Sequence, residues 1–256
     1  GEDMGQYTTG DSDNILRKPA NYLQLVKKID DKVSYRARLR RVESKTARTQ
    51  AIEWTENYIT VKFPWDITAK FGKMNCFDWE NDAGLYEPNF GDDAWFMDTR
   101  YQGMAFDKTF GMGDFHFFAA HDDADYVGGV LSTTEANWFG ARMNFNFNET
   151  FRLALSAIYH DVQNDDPTAA PKSVWGTSDT TLYYADFGVN FTPSIAFKGM
   201  YAVEKYDVNS GVLVGGDDPK AWKAIVDVKQ DALKFTSLWL EYGKWDASFA
   251  SANTFL

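Results

Sequence analysis

The stretch "NWFGARMNFNFNETFRLALSAIYHDV", residues 137–162, sorts its side chains by parity. Phe139, Ala141, Met143, Phe145 and Phe147 share one parity, while Trp138, Gly140, Arg142, Asn144 and Asn146 share the other. Beyond Asn148-Glu149-Thr150 the pattern resumes, with Phe151, Leu153, Leu155, Ala157 and Tyr159 alternating with Arg152, Ala154, Ser156 and Ile158. A period of two belongs to extended chain, whose successive side chains point to opposite faces. The stretch therefore predicts two long antiparallel strands joined by a short polar turn. The same design recurs in "NYLQLVKKIDDKVSYRARLRR" around Asp30-Asp31 and in "ENYITVKFPWDITAKFGKM" around Pro64-Trp65-Asp66. It returns in "DTRYQGMAFDKTFGMGDFHFFAAH" near Asp107-Lys108, in "TLYYADFGVNFTPSIAFKGMYAVEKY" at Thr192-Pro193-Ser194, and in "AWKAIVDVKQDALKFTSLWLEY" around Gln230-Asp231. About twelve strands of about nine to twelve residues follow, and no segment carries a helical period.

The connections alternate too. Each hairpin closes in a few residues, whereas successive hairpins are joined by long polar segments at 44 to 56, 75 to 94, 121 to 136, 161 to 180 and 206 to 219. Short turns on one side and long loops on the other is the layout of a membrane barrel, whose tilted strands need about nine to eleven residues to cross. Strands of soluble sheets usually stop nearer five or six. The expected fold class is thus all-β, a transmembrane antiparallel up-and-down β-barrel, with residues 1–256 forming one barrel domain.

Composition narrows the class further. Lys+Arg number 26 against Asp+Glu 37, a formal net charge of -11, which opposes nucleic acid as a partner because phosphate binding needs a basic surface. Nine Trp, 13 Tyr and 20 Phe coexist with a polar mean hydropathy of -0.44, so the apolar surface is spread through alternation. No stretch approaches the roughly 18 apolar residues of a membrane helix. Cys76 is the single cysteine, so no internal disulfide forms, and it receives no role. The opening "GEDMGQYTTGDSDN" has no signal-peptide pattern, so an exported protein would be represented here in mature or truncated form.

Which face meets water is decided by the polar parity. Arg142, Asn144, Asn146, Arg152, Tyr184, Asp186, Asn190, Lys198 and Glu204 mix with glycines on it, as suits a water-filled lumen. Large rings gather where strands meet the short turns (Phe63, Trp65, Phe106, Phe110, Phe147, Phe151 and Phe191), as in an interfacial girdle. The apolar parity is therefore expected to face lipid, so that Leu155→Arg should be costly and Ser156→Arg tolerated. The alternative is a soluble β-sandwich or jelly roll, including a carbohydrate-binding one, with unusually long strands.

"SYRARLRR" puts Arg36, Arg38 and Arg40 on one parity, about 6.6 Å apart along a strand face. Three guanidinium groups in lipid would be costly, so they are assigned to the lumen together with Lys62, Lys70 and Arg100, which share the polar parity of their strands. The loop "NCFDWENDAGLYEPNFGDDAW" carries Asp78, Glu80, Asp82, Glu87, Asp92 and Asp93. Folded inward, it would face the basic wall and set a transverse field across a constriction; the plainer reading is a solvated loop. His121-Asp122 and His160-Asp161 stand where strands end and invite a rim-active enzyme, protease-like or phospholipase-like, but no Ser or second carboxylate recurs at a spacing that fixes a dyad or triad. The expectation is no catalysis and no cofactor. Asp122-Asp123-Asp125, Asp165-Asp166 and Asp217-Asp218 lack EF-hand spacing, so they are read as solvated loop acids and not as a Ca²⁺ site.

With strands, turns and arginine row in place, the chain resembles a Gram-negative outer-membrane porin. "YITVKFPWDITAKFGKM" followed by the acidic loop, together with "RARLRR", looks most like the porin domain of the OmpM-type proteins of diderm Firmicutes, which join an S-layer-homology module to the barrel. No such module is present here. The resemblance implies sixteen strands, with flanking strands outside this chain at both ends, a homotrimer, and passive diffusion of small hydrophilic solutes and ions. It also implies outer-membrane lipid and lipopolysaccharide as surroundings, and a cell-wall tether beyond this chain.

Overall fold

The computed structural model describes residues 22–43, 50–75, 79, 83–85, 100–122, 126–127, 130–131, 136–162, 179–207, 218–234, 236–246 and 249. Twelve strands form one antiparallel sheet. They are β1 (Tyr22–Lys28), β2 (Val33–Glu43), β3 (Gln50–Phe63), β4 (Ile67–Asn75), β5 (Arg100–Phe110), β6 (Gly113–Asp122), β9 (Ala136–Asn146), β10 (Phe151–Val162), β11 (Asp179–Thr192), β12 (Ile195–Asp207), β13 (Lys220–Val228) and β14 (Leu238–Trp245). β7 (Tyr126–Val127) and β8 (Val130–Leu131) make a separate small hairpin between β6 and β9. Every strand of the large sheet pairs with its neighbour in chain order, which is up-and-down topology.

The turns owe their tightness to side-chain capping. Asp30 Oδ1 accepts from the backbone N–H of Lys32 and Val33 at 2.7 and 2.8 Å, and Asn148 Oδ1 accepts from those of Thr150 and Phe151 at 2.8 Å each. Short Asx side chains imitate a backbone turn in this way. Three connections depart from the sequence expectation. The turn expected near Asp107-Lys108 lies at Gly111-Met112, and Asp107 and Lys108 both belong to β5. The join after β2 spans only residues 44–49, because β3 begins at Gln50 and runs for 14 residues. The last hairpin closes through a helical turn, Gln230–Leu233, ended by Lys234 in the left-handed region (φ 69°), a common way to stop a helix.

The sheet is rolled. From β2 to β11 the order counts seven inter-strand steps, about 34 Å if the sheet were flat at about 4.8 Å per strand. Yet Trp79 lines one cavity together with Arg36 of β2 and lies 6.3 Å, ring to ring, from Tyr184 of β11. An indole spans a fraction of 34 Å, so the wall must curve around it. Among the described residues β1 and β14 are the two edges of the sheet and do not pair with each other.

Burial is the reverse of that in a soluble sheet. Leu155, Phe147, Phe151, Tyr159, Tyr183, Phe191 and Tyr201 are exposed large side chains on the outer face, while Arg142, Asp186, Glu204 and Lys223 are buried on the inner one. Phe145, Phe147 and Phe151 stack in a row at the short-turn end, with centroids 6.0 and 5.4 Å apart. Phe139 and Tyr159 stack near the opposite end. Phe151 to Tyr159 is eight residues of β10, about 26 Å along the strand and about 20 Å in height at a tilt near 40°. An apolar band bounded by two rows of rings at this separation matches the hydrocarbon-facing belt of a membrane barrel.

Candidate functional site: the inner wall and the segment docked on it

Past β4 the chain turns inward. Trp79, Ala83 and Leu85 are buried in the same cluster as Phe118 of β6, Ile158 of β10, Leu182 and Tyr184 of β11 and Ile225 of β13. The indole packs 5.6 Å from the Phe118 ring. Arg142 of β9 flanks both rings, its Cζ 6.0 Å from the Trp79 centroid and 5.7 Å from that of Tyr184, a cation–π arrangement.

Three cations of the wall hold this segment, two of them directly through its backbone. Arg152 of β10 donates from Nη2 to the Ala83 carbonyl, and Lys198 of β12 donates from Nζ to the Gly84 carbonyl at 2.8 Å. Arg152 also donates from Nη1 to Asp186 Oδ1 at 2.8 Å, while Arg142 donates to Asp186 Oδ2 at 2.6 Å and to Ser156 Oγ at 2.9 Å. Lys198 Nζ is 2.9 Å from Asp227 Oδ2. Asp186 thus neutralises two guanidinium groups in the interior, where an unpaired charge is very costly. Gly84 adopts φ +63°, and a Cβ there would stand 3.3 Å from Lys198 Nζ. Glycine is the residue that accepts this backbone freely.

The other half of the wall is more open. Arg36 Nε lies 2.5 Å from Glu56 Oε2, and Arg38 Nη1 lies 3.4 Å from Glu56 Oε1. Lys70 Nζ lies 3.3 Å from Asp107 Oδ2. His116 has Nδ1 2.6 Å from Asp107 and Nε2 2.5 Å from Asp114. A cavity of about 300 Å³ lies among these groups, lined by Arg36, Glu56, Tyr58, Lys70, Asp107 and His116, with Trp79 at its side. Ala105, opposite Lys70 in the register, is the small residue of its lining.

Of the residues singled out by sequence, Arg36 and Arg38 meet Glu56, Lys70 meets Asp107, and Lys62 is exposed near the turn after β3. The side chains of Arg40, Arg100 and Asp122, and Asp78, Glu80, Asp82, Glu87, Asp92 and Asp93, lie outside the described residues, as do Cys76, Asp123, Asp125, Asp165, Asp166 and Asp217; Asp218 is described, with Oδ2 3.8 Å from Lys205 Nζ. The described part of the loop meets Arg142, Arg152 and Lys198. Sequence reasoning placed those three on the polar parity without making them a site; it passed over Glu56, Asp114 and His116 and set Asp107 at a turn, whereas Asp107 lies within β5. Parity could have placed these four on the inner face, but their pairing depends on register. His160 is buried with its ring 4.0 Å from that of Trp138, and His121 has Nδ1 2.9 Å from Asn137 Oδ1.

No family model matches the chain, and no curated protein does either. Among solved structures it is similar to OmpT, an outer membrane protein of Vibrio cholerae in trimer form, with a TM-score of 0.47 and 11% identity over 89% of this chain and 80% of that one. It is also similar to the outer membrane channel DcaP of Acinetobacter baumannii, with a TM-score of 0.48 and 11% identity over 90% of this chain and 80% of that one. Likenesses this distant assign no function.

Proposed function

We propose that this chain forms the wall of an outer-membrane porin that passes small hydrophilic solutes and ions by passive diffusion, narrowed inside by the segment from Trp79 to Leu85. The observation that carries the reading is the inverted burial: Leu155 of β10 is 51% exposed while Asp186 on the neighbouring β11 is 0% exposed. A soluble sandwich would show the opposite, because leaving apolar area in water and burying charge are both unfavourable. Hydrocarbon outside, and an interior that holds paired charges beside the apolar cluster around Trp79, reconcile the two faces. The polar groups inside are held in ion pairs of opposite sign, as fits a path along which solutes bind weakly and leave. Assembly as a homotrimer within lipopolysaccharide-bearing membrane, a cell-wall tether outside this chain, and the absence of covalent chemistry complete the proposal. Planar-bilayer recording of the detergent-purified protein tests it: discrete ohmic conductance steps are expected. A protein that stays monomeric without detergent and never conducts would overturn the reading.

A further inference from the structure

The cavity of about 300 Å³ between β2 and β6 contains two cations, Arg36 and Lys70, and two carboxylates, Glu56 and Asp107, each cation beside a carboxylate. That arrangement selects by charge pattern. A solute carrying only a negative group gains a cation and meets the neighbouring carboxylate, and one carrying only a positive group meets the reverse mismatch. An uncharged sugar brings no charge to either ion pair, and the Trp79 ring is 6% exposed and packed against Phe118 and Tyr184. An apolar solute would strip water from four charges without replacing it. A molecule with a carboxylate and an ammonium a few bonds apart satisfies both signs and leaves no charge unpaired. The volume stands at the lower end of ligand sites, about 300 to 1,000 Å³.

We propose that this cavity is a binding station for small zwitterions of the free amino-acid class on the diffusion path, an assignment that rests on the channel reading and gives it a substrate class. The solute carboxylate lies toward Arg36 and Lys70, and its ammonium toward Glu56 and Asp107, with His116 adding a polar ring beside Asp107. The test is calorimetric titration of the full chain in detergent with four probes of similar size: L-serine, sodium propionate, n-propylamine and glycerol. Saturable heat from L-serine is expected, with each of the other three at least about tenfold weaker. The double variant Lys70→Met, Asp107→Asn should lose the preference for L-serine while keeping a wild-type β spectrum. If the variant does not fold, the four-probe comparison on the unaltered protein still decides. Equal heats from all four, or none from L-serine, would overturn the station. Bilayer recording separates the two proposals: conductance without L-serine binding sinks the station alone, and L-serine binding without conductance sinks the channel reading while keeping the site.

Discussion

Two carboxylates of the inner wall are each held between two arginines, but in different surroundings. Asp186 sits between Arg142 and Arg152 with side-chain exposures of 0%, 2% and 28%, whereas Glu56 sits between Arg36 and Arg38 with 8%, 36% and 19%. The chemical unit is nearly the same. The difference is what lies over it, since the segment from Trp79 to Leu85 covers the first and the second lines a cavity. Under the segment, the ion pairs act as a fastener between wall and loop. Beside the cavity, Arg36 and Glu56 are part of its lining.

The strongest way to break this comparison is to neutralise both carboxylates. Asp186→Asn leaves buried Arg142 without a counter-charge and should cost about 3 to 5 kcal/mol, read as urea unfolding from vesicles. Glu56→Gln should cost about 1 to 3 kcal/mol. Equal losses would show that the two units are energetically alike. On β10 the two faces are contrasted by Leu155→Arg, which puts a cation into the apolar band and should cost about 2 to 4 kcal/mol. Here the structure reverses a sequence expectation: Ser156→Arg should also be destabilising, because Ser156 is 7% exposed and bonded to Arg142, so the new guanidinium would meet both a packed wall and a like charge.

Smaller effects sharpen the same contrast. Gly84→Ala forces a side chain into a left-handed backbone, which costs about 1 to 2 kcal/mol, and crowds Lys198. Single-channel conductance should rise as the segment loosens, while Gly111→Ala, where a Cβ meets nothing within 4 Å, should leave both stability and conductance unchanged. Lys70→Met breaks a half-exposed ion pair and should cost less than about 1 kcal/mol. Its readout is a shift of reversal potential toward cation preference in a salt gradient. No shift would place Lys70 away from the path.

Faces were legible from sequence because a period of two is a local property: Phe145 and Leu153 declare their side of the sheet without reference to any partner. Strand count and the alternation of short and long connections followed for the same reason. The pairings were not legible, since Arg142 and Asp186 are 44 residues apart and meet across β10 only in the observed register. An inward course of the loop was one of two readings left open by the sequence, and its seat on Arg142, Arg152 and Lys198 was in neither. A residue's parity says which side it faces, while the wall's curvature decides what stands opposite. The helical turn at Gln230–Leu233 was missed because four residues are too few for a 3.6-residue period to register against a turn signal.

The wall grips the docked segment by the carbonyl oxygens of Ala83 and Gly84, not by their side chains. Every residue type offers the same carbonyl, so the anchor reads the path of the chain and is indifferent to most of its spelling. Location and electrical character are thereby uncoupled. The side chains at Ala83 and Gly84 could change without removing either acceptor, so these two bonds fix where the segment lies and leave its chemistry free.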